Sequence, residues 1–93
     1  MPTLSLDAAQ SRLAQLSGWA IESGELVRTF EFKDFVAALA FVNQVGELAE
    51  RAGHHPDIDI RYNRVRLALV THSAGGLTEK DFDLAAQAQS LAP

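Results

Sequence analysis

Residues 53–72 read GHHPDIDIRYNRVRLALVTH, and their periodicity decides the fold. After Pro56 the side chains alternate, with Ile58, Ile60 and Tyr62 pointing one way and Asp57, Asp59 and Arg61 the other. A period of two is the signature of a strand with one buried face. Past a turn near Asn63 the alternation resumes. Val65, Leu67, Leu69 and Thr71 share one face, and Arg64, Arg66, Ala68, Val70 and His72 share the other. Two such runs around a short turn predict a β-hairpin. Its outer ends then lie side by side, so residues just before Pro56 meet residues near His72. A residue preceding proline is pushed into extended backbone, which holds His55 out of any helix that comes before it.

Upstream, KDFVAALAFVNQVGELAERAG (33–53) has helical spacing. Phe35, Leu39, Val42, Val45, Ala49 and Ala52 form the expected core stripe, with Asp34 as N-cap and Gly53 as the stop. Phe41 and Leu48 widen the apolar surface, which assigns part of this helix to a partner subunit. Before it, WAIESGELVRTFEF (19–32) reads as a second hairpin turning at ESGE. The first helix is LDAAQSRLAQL (6–16), capped by Ser5 and stopped by Gly18. Downstream, SAGG is a loop and TEKDFDLAAQAQSLA (78–92) a last helix, with Thr78 as N-cap and Asp81 at the capping-box position. The predicted architecture is one α+β domain over residues 1–93 in the order α-β-β-α-β-β-α. Hairpins supply no parallel crossover, so the sheet is four-stranded and antiparallel, with the helices packed on one face. Its two edges leave a strand free to pair across a dimer axis.

A formal charge of −4 argues against nucleic-acid binding, which needs a basic footprint, and Arg61, Arg64 and Arg66 stand beside Asp57 and Asp59 as a solvated strand edge. With no cysteine, disulfides, thiolate metal sites and cysteine nucleophiles are excluded. No apolar run is long enough for a membrane span, and the first residues lack a signal-peptide pattern, so the expected location is cytoplasmic.

The chain has three histidines, His54, His55 and His72, and the hairpin brings them to one end of the sheet. Imidazoles gathered in one cleft suit proton transfer near neutral pH. One neutral ring accepts a proton while a protonated ring donates, which is what eliminating water from an unstable alcohol requires. Neither a metal nor a covalent intermediate is needed. A zinc site is a second reading of three histidines, but adjacent histidines seldom reach one metal, and His-x₃-His spacing is absent. Glu50, one helical turn before His54, either orients that ring or is solvated. Trp19 and Tyr62 read as core aromatics.

The run E-R-A-G-H-H-P, followed at fixed intervals by Tyr62, Thr71-His72 and G-L-T-E-K-D, resembles the pterin-4a-carbinolamine dehydratase family. The resemblance spans nearly the whole chain, including Gly18-Trp19 and the phenylalanine-rich run from Phe30 to Val42. It implies a hydro-lyase that dehydrates 4a-hydroxytetrahydropterin to quinonoid dihydropterin, recycling the cofactor of an aromatic amino acid hydroxylase. Carried onto this chain, His54 and His72 become the general acid/base pair and His55 a substrate-binding residue. Glu50, Pro56, Thr71 and Asp81 become binding or supporting positions, with Glu50 behind His54. No cofactor or metal is implied. The expected partners are a small pterin and further copies of the chain, as homodimer or homotetramer, with no direct nucleic acid and no membrane. Ile58 and Ala74 depart from relatives that carry tryptophan and cysteine there. Two readings of other kinds stand beside the enzyme: a non-catalytic dimerisation partner of a transcription factor, which one animal family member is, and an accessory protein of molybdopterin metabolism.

Overall fold

The computed structural model describes residues 2–93. The elements are α1 (Leu6–Ala14), β1 (Ala20–Glu22), β2 (Glu25–Glu31), α2 (Phe35–Ala52), β3 (Asp57–Arg61), β4 (Arg64–Leu69) and α3 (Glu79–Leu91), with a 3-10 turn at His72–Ala74. All four strands form one antiparallel sheet in the order β1-β2-β4-β3, so β1 and β3 are its edges. The first hairpin turns on Ser23 and Gly24, both at positive φ, which matches the twist of the strands it joins.

The sheet register sorts the side chains by face. Leu26, Arg28 and Phe30 lie opposite Leu69, Leu67 and Val65, and the last two lie opposite Ile58 and Ile60. That face carries the core. Leu26, Val65, Leu67 and Leu69 are buried under the helices with Ala38, Phe41, Val45 and Ala49 of α2 and Phe82, Leu84, Ala85 and Ala88 of α3. Phe41 stacks at 4.8 Å from Phe30 and 4.9 Å from Phe32, and Trp19 meets Phe30 edge-on at 5.8 Å. Such tilted contacts add roughly 0.5–1.5 kcal/mol each beyond burial. The Nε1–H of Trp19 donates to Gln89 Oε1 at 2.7 Å, which satisfies the one polar atom of a buried ring. The opposite face bears Arg61, Arg64 and Arg66, each exposed and paired with Asp59, Glu31 and Glu22 respectively.

The helix boundaries follow their caps. Ser5 Oγ accepts from Ala8 N, Asp34 Oδ1 from Ala37 N, and Thr78 with Asp81 closes a full capping box. Gly53 takes the left-handed conformation at φ 62° and ends α2. Gly18 does not end α1, whose C-cap is Gln15. Instead Gly18, at φ 89°, lets the Arg28 guanidinium lie where a β-carbon would sit 2.8 Å from its Cζ.

Two further expectations fail. The buried stripe of α2 is Ala38, Phe41, Val45 and Ala49, while Phe35, Val36 and Leu39 are exposed. Phe41 therefore belongs to the core, and the surplus apolar surface lies at the start of the helix. From Phe35 to Val42 every residue is apolar, so no polar position fixes the phase there. The contacts of Phe41 with Phe30 and Phe32 set it. Tyr62 is not a core aromatic. Arg61 pairs with Arg64, which leaves Tyr62 in a two-residue turn at φ 52° and 67% exposed.

Candidate functional site

The site forms where the end of α2, the end of β4 and the start of α3 converge. Asp57 at the start of β3 lies opposite Ala68 near the end of β4, so the His54–His55 segment and the Thr71–His72 segment share one end of the sheet. Thr71 is pinned there by a bridge to Gly76, and α3 begins immediately afterwards at its capping box.

Asp81 is the centre of this arrangement. Its side chain is fully buried, and a buried carboxylate is stable only when its oxygens are met by donors. Oδ2 accepts from Thr78 N at 2.9 Å and from Thr71 Oγ1 at 2.9 Å. Oδ1 lies 2.5 Å from His54 Nε2. The directions follow from counting hydrogens. The single hydroxyl proton of Thr71 goes to Asp81, so at the 2.8 Å contact between Thr71 Oγ1 and Thr78 Oγ1 it is Thr78 that donates. Against an ionised Asp81, His54 Nε2 is the N–H donor. The neutral ring then has its lone pair on Nδ1, and the protonated ring has its second N–H there. Either form offers one nitrogen for chemistry and commits the other to the fold.

His55 is held differently. Its Nε2 lies 2.5 Å from Glu50 Oε2, and both side chains face solvent. Glu50 thus supports His55, not His54 as its spacing suggested. The left-handed Gly53 turns the chain off the helical track, so residue 54 is no longer one turn above residue 50. The step through the partly buried Pro56 into β3 follows. His72 opens the 3-10 turn and is exposed. A pocket of about 180 Å³ beside His54 is lined also by Ala52, Lys80, Asp83, Leu84 and Gln87. It includes neither His55 nor His72. Pockets that enclose a whole small molecule run to roughly 300–1,000 Å³. The structure therefore joins the histidine segments through backbone and hydrogen bonds, not around that cavity. Among the described residues no group of three or more His, Asp or Glu is placed to hold a metal ion.

Sequence reasoning treated Thr78 only as a helix cap. Its hydroxyl is in fact the outer end of the chain Thr78–Thr71–Asp81–His54. The capping box was the available signal, because it puts a buried carboxylate at a known place with one oxygen unused.

The chain is similar to known proteins over nearly its whole length. The sequence model of the family described as Pterin 4 alpha carbinolamine dehydratase matches residues 2–91. A protein of Acidobacterium capsulatum named "Putative pterin-4-alpha-carbinolamine dehydratase" is 64% identical over 98% of this chain and 99% of its own length. A Chloroflexus aurantiacus protein of the same name is 65% identical over 92% of each chain. Among solved structures, a transcriptional coactivator/pterin dehydratase from Brucella melitensis superposes with a TM-score of 0.94 at 35% identity, covering 98% of this chain and 99% of its own. A pterin dehydratase-like protein described as a RuBisCO assembly factor in the alpha-carboxysome superposes at 0.66 with 25% identity, covering 80% of this chain and 86% of its own. By sequence and by fold, this chain belongs to the pterin 4 alpha carbinolamine dehydratase family.

Proposed function

We propose that this protein is a hydro-lyase that converts 4a-hydroxytetrahydropterin to quinonoid dihydropterin and water. The N5–H proton leaves to a neutral imidazole, the C4a–O bond breaks as its oxygen takes a proton from a protonated imidazole, and the C4a=N5 double bond forms. Atoms and charge balance with no redox partner. His54 and His72 divide the two transfers, and His55 contributes to binding the ring. General acid–base assistance of this kind is worth roughly 10²–10⁴ in rate.

One observation carries the reading. The Nε2 of His54 is committed to a fully buried carboxylate that is itself held by two further donors. A surface histidine has no use for such an anchor, whereas a proton-transfer group needs its ring held and its tautomer chosen. The physiological setting that follows is recycling of a tetrahydrobiopterin-type cofactor in the cytoplasm. Among the described residues no helix is long and apolar enough to cross a membrane. Self-association as a homodimer or homotetramer belongs to the same proposal, and Phe35, Val36 and Leu39 supply exposed apolar surface for it.

That surface also favours a second reading, an interaction protein without catalysis. A carbinolamine-dehydration assay, with substrate generated enzymatically, decides between them. The purified protein is expected to accelerate dehydration well above the buffer rate, and His54→Ala and His72→Ala are each expected to lose most of that acceleration while staying folded. A wild-type protein that leaves the buffer rate unchanged ends the enzymatic reading.

A further inference from the structure

We infer that Thr71 is the positioning residue that joins the two proton-transfer segments of the site, a role that rests on the function proposed above. Thr71 is 5% exposed, and every polar atom it owns is engaged. On its side chain, Oγ1 donates to Asp81 Oδ2 and accepts from Thr78 Oγ1. On its backbone, the carbonyl accepts from the amides of Ala74 at 3.0 Å, Gly75 at 3.0 Å and Gly76 at 3.3 Å, and the amide donates to Gly76 O at 3.1 Å. The turn that carries His72 is therefore wound around the Thr71 peptide. The same residue's hydroxyl grips the carboxylate that holds His54. One residue thus relates the two rings: its main chain builds the loop under one, and its side chain fixes the anchor of the other.

The residue type fits the task. Valine would match threonine in shape but would bring neither a donor for Asp81 nor an acceptor for Thr78. Asp81 Oδ2 would keep only the Thr78 amide, and the carboxylate would be held less firmly against rotation about its own χ2. Serine would keep the hydroxyl but lose the β-branch that restricts χ1. A loosened carboxylate changes the orientation of the His54 ring and its offset from His72. Proton transfer depends on that geometry, whereas general binding of a flat bicyclic ring depends on it less. The loss therefore falls on kcat and spares KM.

Thr71→Val and Thr71→Ser provide the test, read by steady-state kinetics and by the ¹⁵N spectrum of the His54 ring in the ligand-free protein. Thr71→Val is expected to lower kcat about tenfold to a hundredfold with KM changed by less than about twofold. Its His54 is expected to lose the single Nε2–H tautomer. Thr71→Ser is expected to restore both readouts most of the way. A valine variant with wild-type kcat and an unchanged tautomer overturns the inference, and so does a folded serine variant as impaired as the valine one. If the valine variant does not fold, the wild type decides. A slowly exchanging Thr71 hydroxyl proton supports the inference, and a freely exchanging one overturns it. The tautomer is read without substrate, so a wild type lacking dehydratase activity would sink the proposed function while leaving Thr71 to be judged by its spectrum.

Discussion

His54 and His55 are adjacent, and each holds its Nε2 2.5 Å from a carboxylate oxygen, yet the two pairs differ in kind. The His55 and Glu50 side chains are 62% and 79% exposed, so water competes for every hydrogen bond and salt screens the charges. Pairs of this sort contribute roughly 0–1 kcal/mol. The His54 and Asp81 side chains are 10% and 0% exposed. There the carboxylate cannot turn to water, and its other oxygen is taken by Thr71 and the Thr78 amide. Equal distances conceal unequal rigidity. A ring that passes a proton in a defined direction gains from an anchor that does not move, and of these two neighbours only His54 has one.

The strongest way to break this contrast is Asp81→Asn. The amide keeps the shape of the carboxylate, and its oxygen can still accept from Thr71 and Thr78. Its NH₂ then faces His54 Nε2 and forces that nitrogen to accept, which moves the proton of the neutral ring onto Nδ1. Loss of the correct tautomer in a geometrically intact site is worth up to about 10⁴ in kcat. We expect a fall of roughly 10²–10⁴, measured by the dehydration assay, with an unchanged circular dichroism spectrum. A fall of less than about tenfold would mean that the buried pair is structural.

A smaller effect separates buried from exposed polar networks by stability alone. Thr78→Ala removes a helix cap and the hydroxyl that donates to Thr71 Oγ1, at a fully buried position, while the Thr78 amide and Thr71 still donate to Asp81. Ser5→Ala removes only an exposed cap on α1. Urea unfolding is expected to show a loss of about 1–3 kcal/mol for the first and about 0.5–1 kcal/mol for the second. Equal losses would show that burial adds nothing to the cap.

What the sequence made legible follows the same division. Local signals were read at the right residues: Ser5, Asp34, Thr78 and Asp81 as caps, Gly53 as a stop, and both hairpins from their alternation. Each depends on a few neighbouring residues and a fixed geometry. Two local signals misled, since Gly18 does not stop α1 and Tyr62 falls in the turn between β3 and β4; other errors arose where the answer lay in how separate segments meet. The phase of α2 rests on Phe41 meeting Phe30 and Phe32, and the run from Phe35 to Val42 has no polar residue to reveal it. Glu50 was assigned to His54 by helical spacing, but the backbone reversal at Gly53 hands it to His55. Asp81 showed its capping role in sequence. Its second oxygen meets His54 only because α3 packs beside the end of α2, which no local pattern records.

The smallest expected effect is the sharpest check on the exposed pair. Glu50→Gln removes the charge that faces His55 and leaves a hydrogen-bonding side chain of the same length. If the pair only steadies a binding residue, its loss falls on KM, raising it by roughly twofold to threefold, in keeping with 0–1 kcal/mol for an exposed ion pair. Salt offers an independent route to the same quantity. Raising ionic strength from 0.1 M to 1 M shortens the screening length from about 10 Å to about 3 Å. This should reproduce the KM shift in the wild type and add little to it in Glu50→Gln, while leaving kcat, which depends on the buried pair, almost untouched. A Glu50→Gln variant that loses kcat on the scale of Asp81→Asn would mean that solvent exposure does not separate the two carboxylates, and that both act on the proton transfers.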